Sequence, residues 1–176
     1  MTAKVKSMIQ SVVVLCVIAL ASGLILGLFN KLTWVDPQKD VLDKFAALSG
    51  TDAKFEMLDK DNGQTYFFAK SKEETPTYAL YVGGKGGFGG EVKMYVFVKN
   101  GVITGVEIGE NSETYMGKLE DAGFIEAFVG QELATLSIPS GSDLVSGATK
   151  SSTAVADAMK NAKEYFASYL AEGGAQ

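Results

Sequence analysis

The run Asp143-Leu144-Val145-Ser146-Gly147-Ala148-Thr149, followed by Lys150-Ser151-Ser152-Thr153, gathers hydroxyl groups just ahead of an apolar repeat. From Ser151 to Leu170 that repeat places Val155, Ala158, Met159, Ala162, Phe166, Tyr169 and Leu170 at i, i+3, i+4, i+7 spacing. Asp157, Lys160, Asn161, Glu164 and Ser168 fall largely opposite. Such spacing predicts an amphipathic helix, and Ser and Thr are residue types that cap helix starts. Gly147 lets the backbone take an unusual turn there. Thr149 is then expected at a helix N-terminus, where free backbone N–H groups and the helix dipole favour a phosphate. A phosphate held there would land in a suitable place. The alternative is that 146–153 only caps a terminal helix.

Composition narrows the chemistry further. The chain has 176 residues and a formal charge of −5, with no His and no Arg among them. Lack of Arg and low pI argue against a nucleic-acid partner. Lack of His removes the usual proton shuttle and the commonest metal ligand. The one Cys, Cys16, lies inside an apolar run. The soluble part therefore has no disulfide, no Cys-based metal site and no thiolate nucleophile. No residue reads as an acid–base catalyst. Any reaction must largely be borrowed from a cofactor.

The heptad ending at Thr149 resembles the acceptor signature Asp-x-x-Ser-Gly-Ala-Thr of the covalent-flavin (FMN-binding) domain found in Rnf G-type and Na+-NQR C-type subunits. The match is complete at the fixed positions. The resemblance implies FMN carried through a phosphoester on Thr149, with Ser146, Gly147 and Ala148 completing the acceptor turn. A second stretch, Ser112-Glu113-Thr114-Tyr115-Met116-Gly117-Lys118, follows a predicted strand. The family's usual sequence there is Ser-Glu-Thr-Pro-Gly-x-Gly, which helps hold the flavin. Ser112, Glu113, Thr114 and a nearby Gly117 match; Tyr115-Met116 replaces Pro-Gly and shortens the stretch by one residue. Glu113, Thr114 and Gly117 are thus implied cofactor-binding residues.

Residues Met8–Phe29 carry no charge. As a helix they are roughly 33 Å long at about 1.5 Å per residue, enough to cross a bilayer core. Lys4 and Lys6 precede the run, and Asn30, Lys31 and Trp34 follow as interfacial anchors. Ala19-Leu20-Ala21 offers a small-x-small cleavage site, but Leu24–Phe29 continues the apolar run beyond it. An uncleaved anchor is the expectation. Lys31, Lys39 and Lys44 balance the lysines before the segment, so positive charge alone does not orient it. The resemblance implies a soluble domain on the extracytoplasmic side of the cell membrane. Gly23-x-x-x-Gly27 would permit close helix packing in lipid.

Beyond the anchor, roughly 145 residues suffice for one globular domain. The expected order is 1–7 tail, 8–30 transmembrane helix, 31–50 connecting segment and 51–176 FMN-binding domain. Asp36–Leu48, ended by Gly50, reads as a short helix. Phe55–Asp59 and Thr65–Lys70 flank Lys60-Asp61-Asn62-Gly63 as a hairpin. Thr77–Val82 reads as a strand, and Val92–Lys99 and Val102–Gly109 flank Asn100-Gly101 as a second hairpin. Phe124–Val129 reads as a short helix and Leu133–Ile138 as an ambiguous strand. The pattern is α+β, a twisted antiparallel sheet flanked by helices.

Two motifs are decoys. Gly84-Lys85-Gly86-Gly87-Phe88-Gly89 spells G-x-G-x-x-G after a strand, but Glu91–Val96 is another strand where the dinucleotide motif needs a helix. It reads as a glycine-rich turn, a feature the family often carries before this strand. Asp59-x-Asp61-x-Gly63 lacks the oxygen ligands of a calcium loop and reads as a turn.

The resemblance implies an electron-transfer subunit of an Rnf-type complex, moving electrons between reduced ferredoxin and NAD while sodium ions or protons cross the membrane. Its partners would be the multi-pass membrane and iron–sulfur or flavin subunits, and a flavin transferase drawing on FAD. A Na+-NQR C-type subunit and a standalone extracytoplasmic flavoprotein shuttle or sensor are the alternatives. A flavin-free, membrane-tethered interaction module is the remaining one.

Overall fold

The structure is a computed structural model, which describes residues 3–33, 37–50, 53–58 and 66–171. The chain divides into two compact units, Met1–Asp36 and Pro37–Gln176. The first holds helix α1, Ala3–Thr33. Its side chains from Met8 to Thr33 are exposed, including Leu15, Leu20, Leu24 and Leu28. Apolar residues all round are the pattern of a buried helix or of a membrane span. Among the described residues, α1 is the element long and apolar enough to span a membrane. Trp34 lies outside the described residues.

The second unit is α+β. Helix α2, Pro37–Leu48, precedes five strands: β1 Phe55–Met57, β2 Phe67–Ser71, β3 Thr77–Gly84, β4 Val92–Lys99 and β5 Val102–Ile108. Helix α3, Met116–Asp121, and helix α4, Thr149–Ala171, follow. The strands form one sheet in sequence order, β1-β2-β3-β4-β5, with every neighbouring pair antiparallel. Asn100 and Gly101 both have positive φ (54° and 79°), as a two-residue turn between β4 and β5 requires. The predicted Lys60–Gly63 turn and the Asp59–Gly63 decoy lie outside the described residues.

Alternation along β4 splits the core in two. Val92, Met94, Val96 and Val98 face one cluster, with Ala154, Val155, Ala158, Met159, Ala162 and Phe166 of α4. Tyr95 and Phe97 face the other, with Val41 and Phe45 of α2. Phe45 is fully buried, its ring 5.8–6.1 Å from those of Phe55, Tyr95 and Phe97. The sheet is thus covered on both faces.

Some expectations from the sequence change. Leu133–Ile138 forms no strand: Leu133 and Leu136 are buried side chains on an irregular segment. The Leu133 N–H donates to Gly101 O. Apolar spacing there records burial, not extended backbone. Phe124–Val129 shrinks to a 3₁₀ turn, Glu126–Phe128, with Phe124, Ile125 and Phe128 buried. Leu170, counted in the apolar stripe of the last helix, is exposed.

Candidate functional site

Thr149 is the first residue of α4 and is exposed. The turn before it is built by a side chain from the helix's own first turn. The Ser152 hydroxyl accepts from the Val145 N–H (3.3 Å) and donates toward the carbonyls of Ala148 (3.0 Å) and Thr149 (3.1 Å). The Ala148 N–H closes onto Val145 O at 3.0 Å, and Ala148 is buried. Gly147 adopts φ +75°, so the backbone calls for glycine; the nearest atom to a Cβ there would be Lys118 Nζ at 3.0 Å, the movable tip of a flexible side chain. Lys118 Nζ lies 3.5 Å from Gly147 O and 5.1 Å from the centre of the Tyr115 ring.

Each hydroxyl of this turn has its own role. Thr153 Oγ1 donates to Thr149 O at 2.7 Å. Ser151, fully buried, donates to Glu113 Oε2 at 2.5 Å. The Thr149 hydroxyl makes no hydrogen bond among the described residues. Like the exposed Ser146 hydroxyl it is unengaged among the described residues, and it sits at a helix end where N–H groups lack intrahelical partners, with the Lys118 ammonium beside the turn.

Glu113 is the hub of the neighbouring loop. Its Oε1 accepts from the Gly89 N–H at 2.5 Å. The Glu113 N–H in turn donates to Asn111 Oδ1 at 2.9 Å. Desolvation pushes the Glu113 carboxyl upward. The bonds from Ser151, Gly89 and Phe88 outweigh it and hold the group below its ordinary value.

The glycine-rich stretch is more than a flexible turn. The Lys85 N–H donates to Asp157 Oδ2 (2.8 Å), and Asn161 Nδ2 donates to Gly83 O (2.7 Å). Thr153 Cγ2 would stand 3.2 Å from a Cβ on Gly86. A Cβ at Gly87 would overlap the Glu113 carboxylate, and one at Gly89 would overlap the Ser112 carbonyl. The stretch therefore lies along α4 and against the Ser112–Thr114 loop.

Of the residues expected from the sequence, Ser146, Gly147, Ala148 and Thr149 form one turn, and Glu113 is joined to it through Ser151. Thr114 and Gly117 are exposed; Thr114 makes no side-chain hydrogen bond among the described residues, and open space surrounds the Gly117 Cα. The sequence reading missed Ser151, Lys118, Asp157 and Asn161. It assigned Asp157 and Asn161 to the face opposite the apolar stripe, where they instead bind the backbone of 83–85. No signal local to α4 announces those partners.

The pattern of the FMN-binding domain family matches residues 87–164. That span runs from the glycine-rich stretch through β4, β5, the Glu113 loop and the Thr149 turn into α4. The match supports the FMN-binding family, FMN as cofactor, and a flavoprotein with a redox or electron-transfer role. No curated protein gives a match to the chain. The residues present fit a flavin phosphate: an unengaged hydroxyl at a helix N-terminus, free N–H donors and a nearby ammonium. When bound, FMN would supply one- and two-electron redox chemistry; Thr149, the α4 amides and Lys118 would hold its phosphate end.

Proposed function

We propose that this protein is a membrane-anchored electron-transfer subunit that carries FMN covalently on Thr149. The observation that carries the reading is the Thr149 hydroxyl, exposed and without a hydrogen-bond partner among the described residues, in a complete Asp-x-x-Ser-Gly-Ala-Thr sequence at the start of α4. Maturation joins Thr149 Oγ to the flavin phosphorus. FAD is the donor, its pyrophosphate P–O bond breaks, AMP leaves, and the hydroxyl proton passes to solvent or to the flavin transferase.

The protein's own contribution is to anchor, position and tune the flavin. Helix α1 confines it to the membrane surface, with the second unit on the extracytoplasmic side. The chain works within an Rnf-type complex between reduced ferredoxin and NAD, coupled to movement of sodium ions or protons. Its partners are the multi-pass and iron–sulfur or flavin subunits of that complex.

Two measurements test this. Intact mass of the purified chain should exceed the sequence mass by one esterified FMN, and peptide mapping should put the adduct on Thr149. Purification through a tag on this chain should bring down multi-pass redox subunits. An unmodified mass rejects the flavin assignment; a modified chain that purifies alone rejects the complex and leaves a standalone shuttle.

A further inference from the structure

The polar contacts between α4 and the glycine-rich stretch are ordered. Asn161 holds Gly83, Asp157 holds Lys85, Thr153 lies against Gly86, and Ser151 reaches Gly89 through Glu113. As helix numbers fall toward Thr149, loop numbers rise toward Gly89. The loop thus runs antiparallel along the helix, with its Phe88–Gly89 end at the acceptor end of α4.

We propose that Ser151 and Glu113 form a latch that positions Phe88 as an apolar wall of the flavin site, beside the Thr149 end of α4. The proposal rests on the reading of Thr149 as flavin acceptor. Three observations carry it. First, Ser151 is fully buried in a helix face otherwise lined by Ala154, Val155 and Ala158. A hydroxyl costs free energy there unless it is bonded, and a carboxylate is the stronger kind of partner. Second, both carboxylate oxygens of Glu113 are taken by protein donors, Gly89 N–H on one and Ser151 Oγ–H on the other. Glu113 therefore acts through the loop it holds, as a positioning residue. Third, Phe88 is 77 % exposed although the adjoining Gly89 amide is pinned to Glu113. An apolar ring in the open, on a polar loop whose backbone is tied down beside it, is what a flat, partly apolar cofactor requires of its site.

The latch is tested first without flavin, in the full-length Thr149→Ala chain in detergent. Adding Ser151→Ala should speed hydrogen exchange at the Gly89 amide by about tenfold or more, the scale of a lost hydrogen bond to a charged group. Glu113→Gln should do likewise, and the two changes together should add little to either. Unchanged exchange, or fully additive effects, overturns the latch. The second arm uses the flavin-bearing chain. Phe88→Ala should raise iodide quenching of flavin fluorescence and shift the midpoint potential, Phe88→Tyr should restore both, and Ser151→Ala should shift them in the same direction as Phe88→Ala. Flavin properties indifferent to Phe88→Ala overturn the wall. A wild-type chain lacking the adduct overturns the flavin reading and the wall with it, while the exchange arm still decides the latch.

Discussion

Gly84, at the end of β3, lies so close to Ala154 of α4 that a Cβ on Gly84 would overlap the Ala154 carbonyl oxygen and the Ala158 amide. Backbone meets backbone at this point, and neither neighbour is a flexible side-chain tip. The contact fixes the origin of the glycine-rich stretch on the helix whose first residue is Thr149. Sheet, loop and α4 are thereby held as one piece.

Gly84→Ala should destabilise the domain by about 1–3 kcal/mol, the usual cost of overfilling a packed site. Gly117→Ala is the contrast: its Cα faces open space and sits in α3 without positive φ. That change should be neutral or stabilise by up to about 1 kcal/mol, as removing a helical glycine does. Urea midpoints of the two variants decide the matter; similar losses in both would refute the close-contact account.

Glu113 gives the domain an acid-sensitive contact. Its folded carboxyl titrates below the ordinary 4.5 because donors from Ser151, Gly89 and Phe88 outweigh desolvation. A depressed folded value means that the stability it contributes is complete above the unfolded value and is lost as pH falls through the folded one. Between about pH 5 and pH 3, wild-type urea midpoints should therefore fall more steeply than those of Glu113→Gln. Parallel curves would show that the carboxylate holds nothing.

What the sequence disclosed follows from which interactions are local. The Asn100-Gly101 hairpin and the strands on either side were legible because turn chemistry and period-two alternation lie within a few residues of each other. The turn before α4 was legible because Ser146, Gly147 and Thr149 are adjacent in the chain. Helix α3 was not: Met116–Asp121 spans six residues, too few for a 3.6-residue period to declare itself. The partners of Asp157 and Asn161 were invisible for another reason. A helical periodicity separates apolar from polar faces, yet it cannot reveal that the polar side meets a carbonyl or amide from a distant loop. Ser151 falls between these cases, a hydroxyl in a buried position whose need for a partner could have been inferred once the helix phase was known.

Lys118 links α3 to the turn before Thr149 through Gly147 O and stands over Tyr115. Removing its charge should weaken a phosphoester's surroundings without dismantling the turn, which Ser152 holds independently. Lys118→Gln should slow flavin loading by a purified transferase, while Lys118→Arg retains most of it. Added salt should reduce the difference, because the ammonium is exposed and screened. Equal loading rates for wild type and Lys118→Gln would remove this lysine from the site.

The Thr149 hydroxyl, the acceptor in the proposed reading, gives the sharpest separation of folding from function. Thr149→Ala deletes a group with no hydrogen bond among the described residues, so the urea midpoint should move by no more than the roughly 0.5 kcal/mol typical of surface changes. Flavin fluorescence in a denaturing gel should nevertheless vanish. Ser152→Ala should do the reverse. It removes the oxygen that ties Val145 to the start of α4, at a cost of about 0.5–2 kcal/mol as for other capping losses, while Thr149 remains to be modified. Thr149→Ser keeps the nucleophilic oxygen and should label in part, limited by tolerance of the missing methyl. Thr153→Ala should retain the adduct, since its hydroxyl is occupied with Thr149 O. An adduct that persists in Thr149→Ala, or maps to Ser151 or Thr153 in the wild type, would show that the flavin sits elsewhere on this turn and that Thr149 is only its cap.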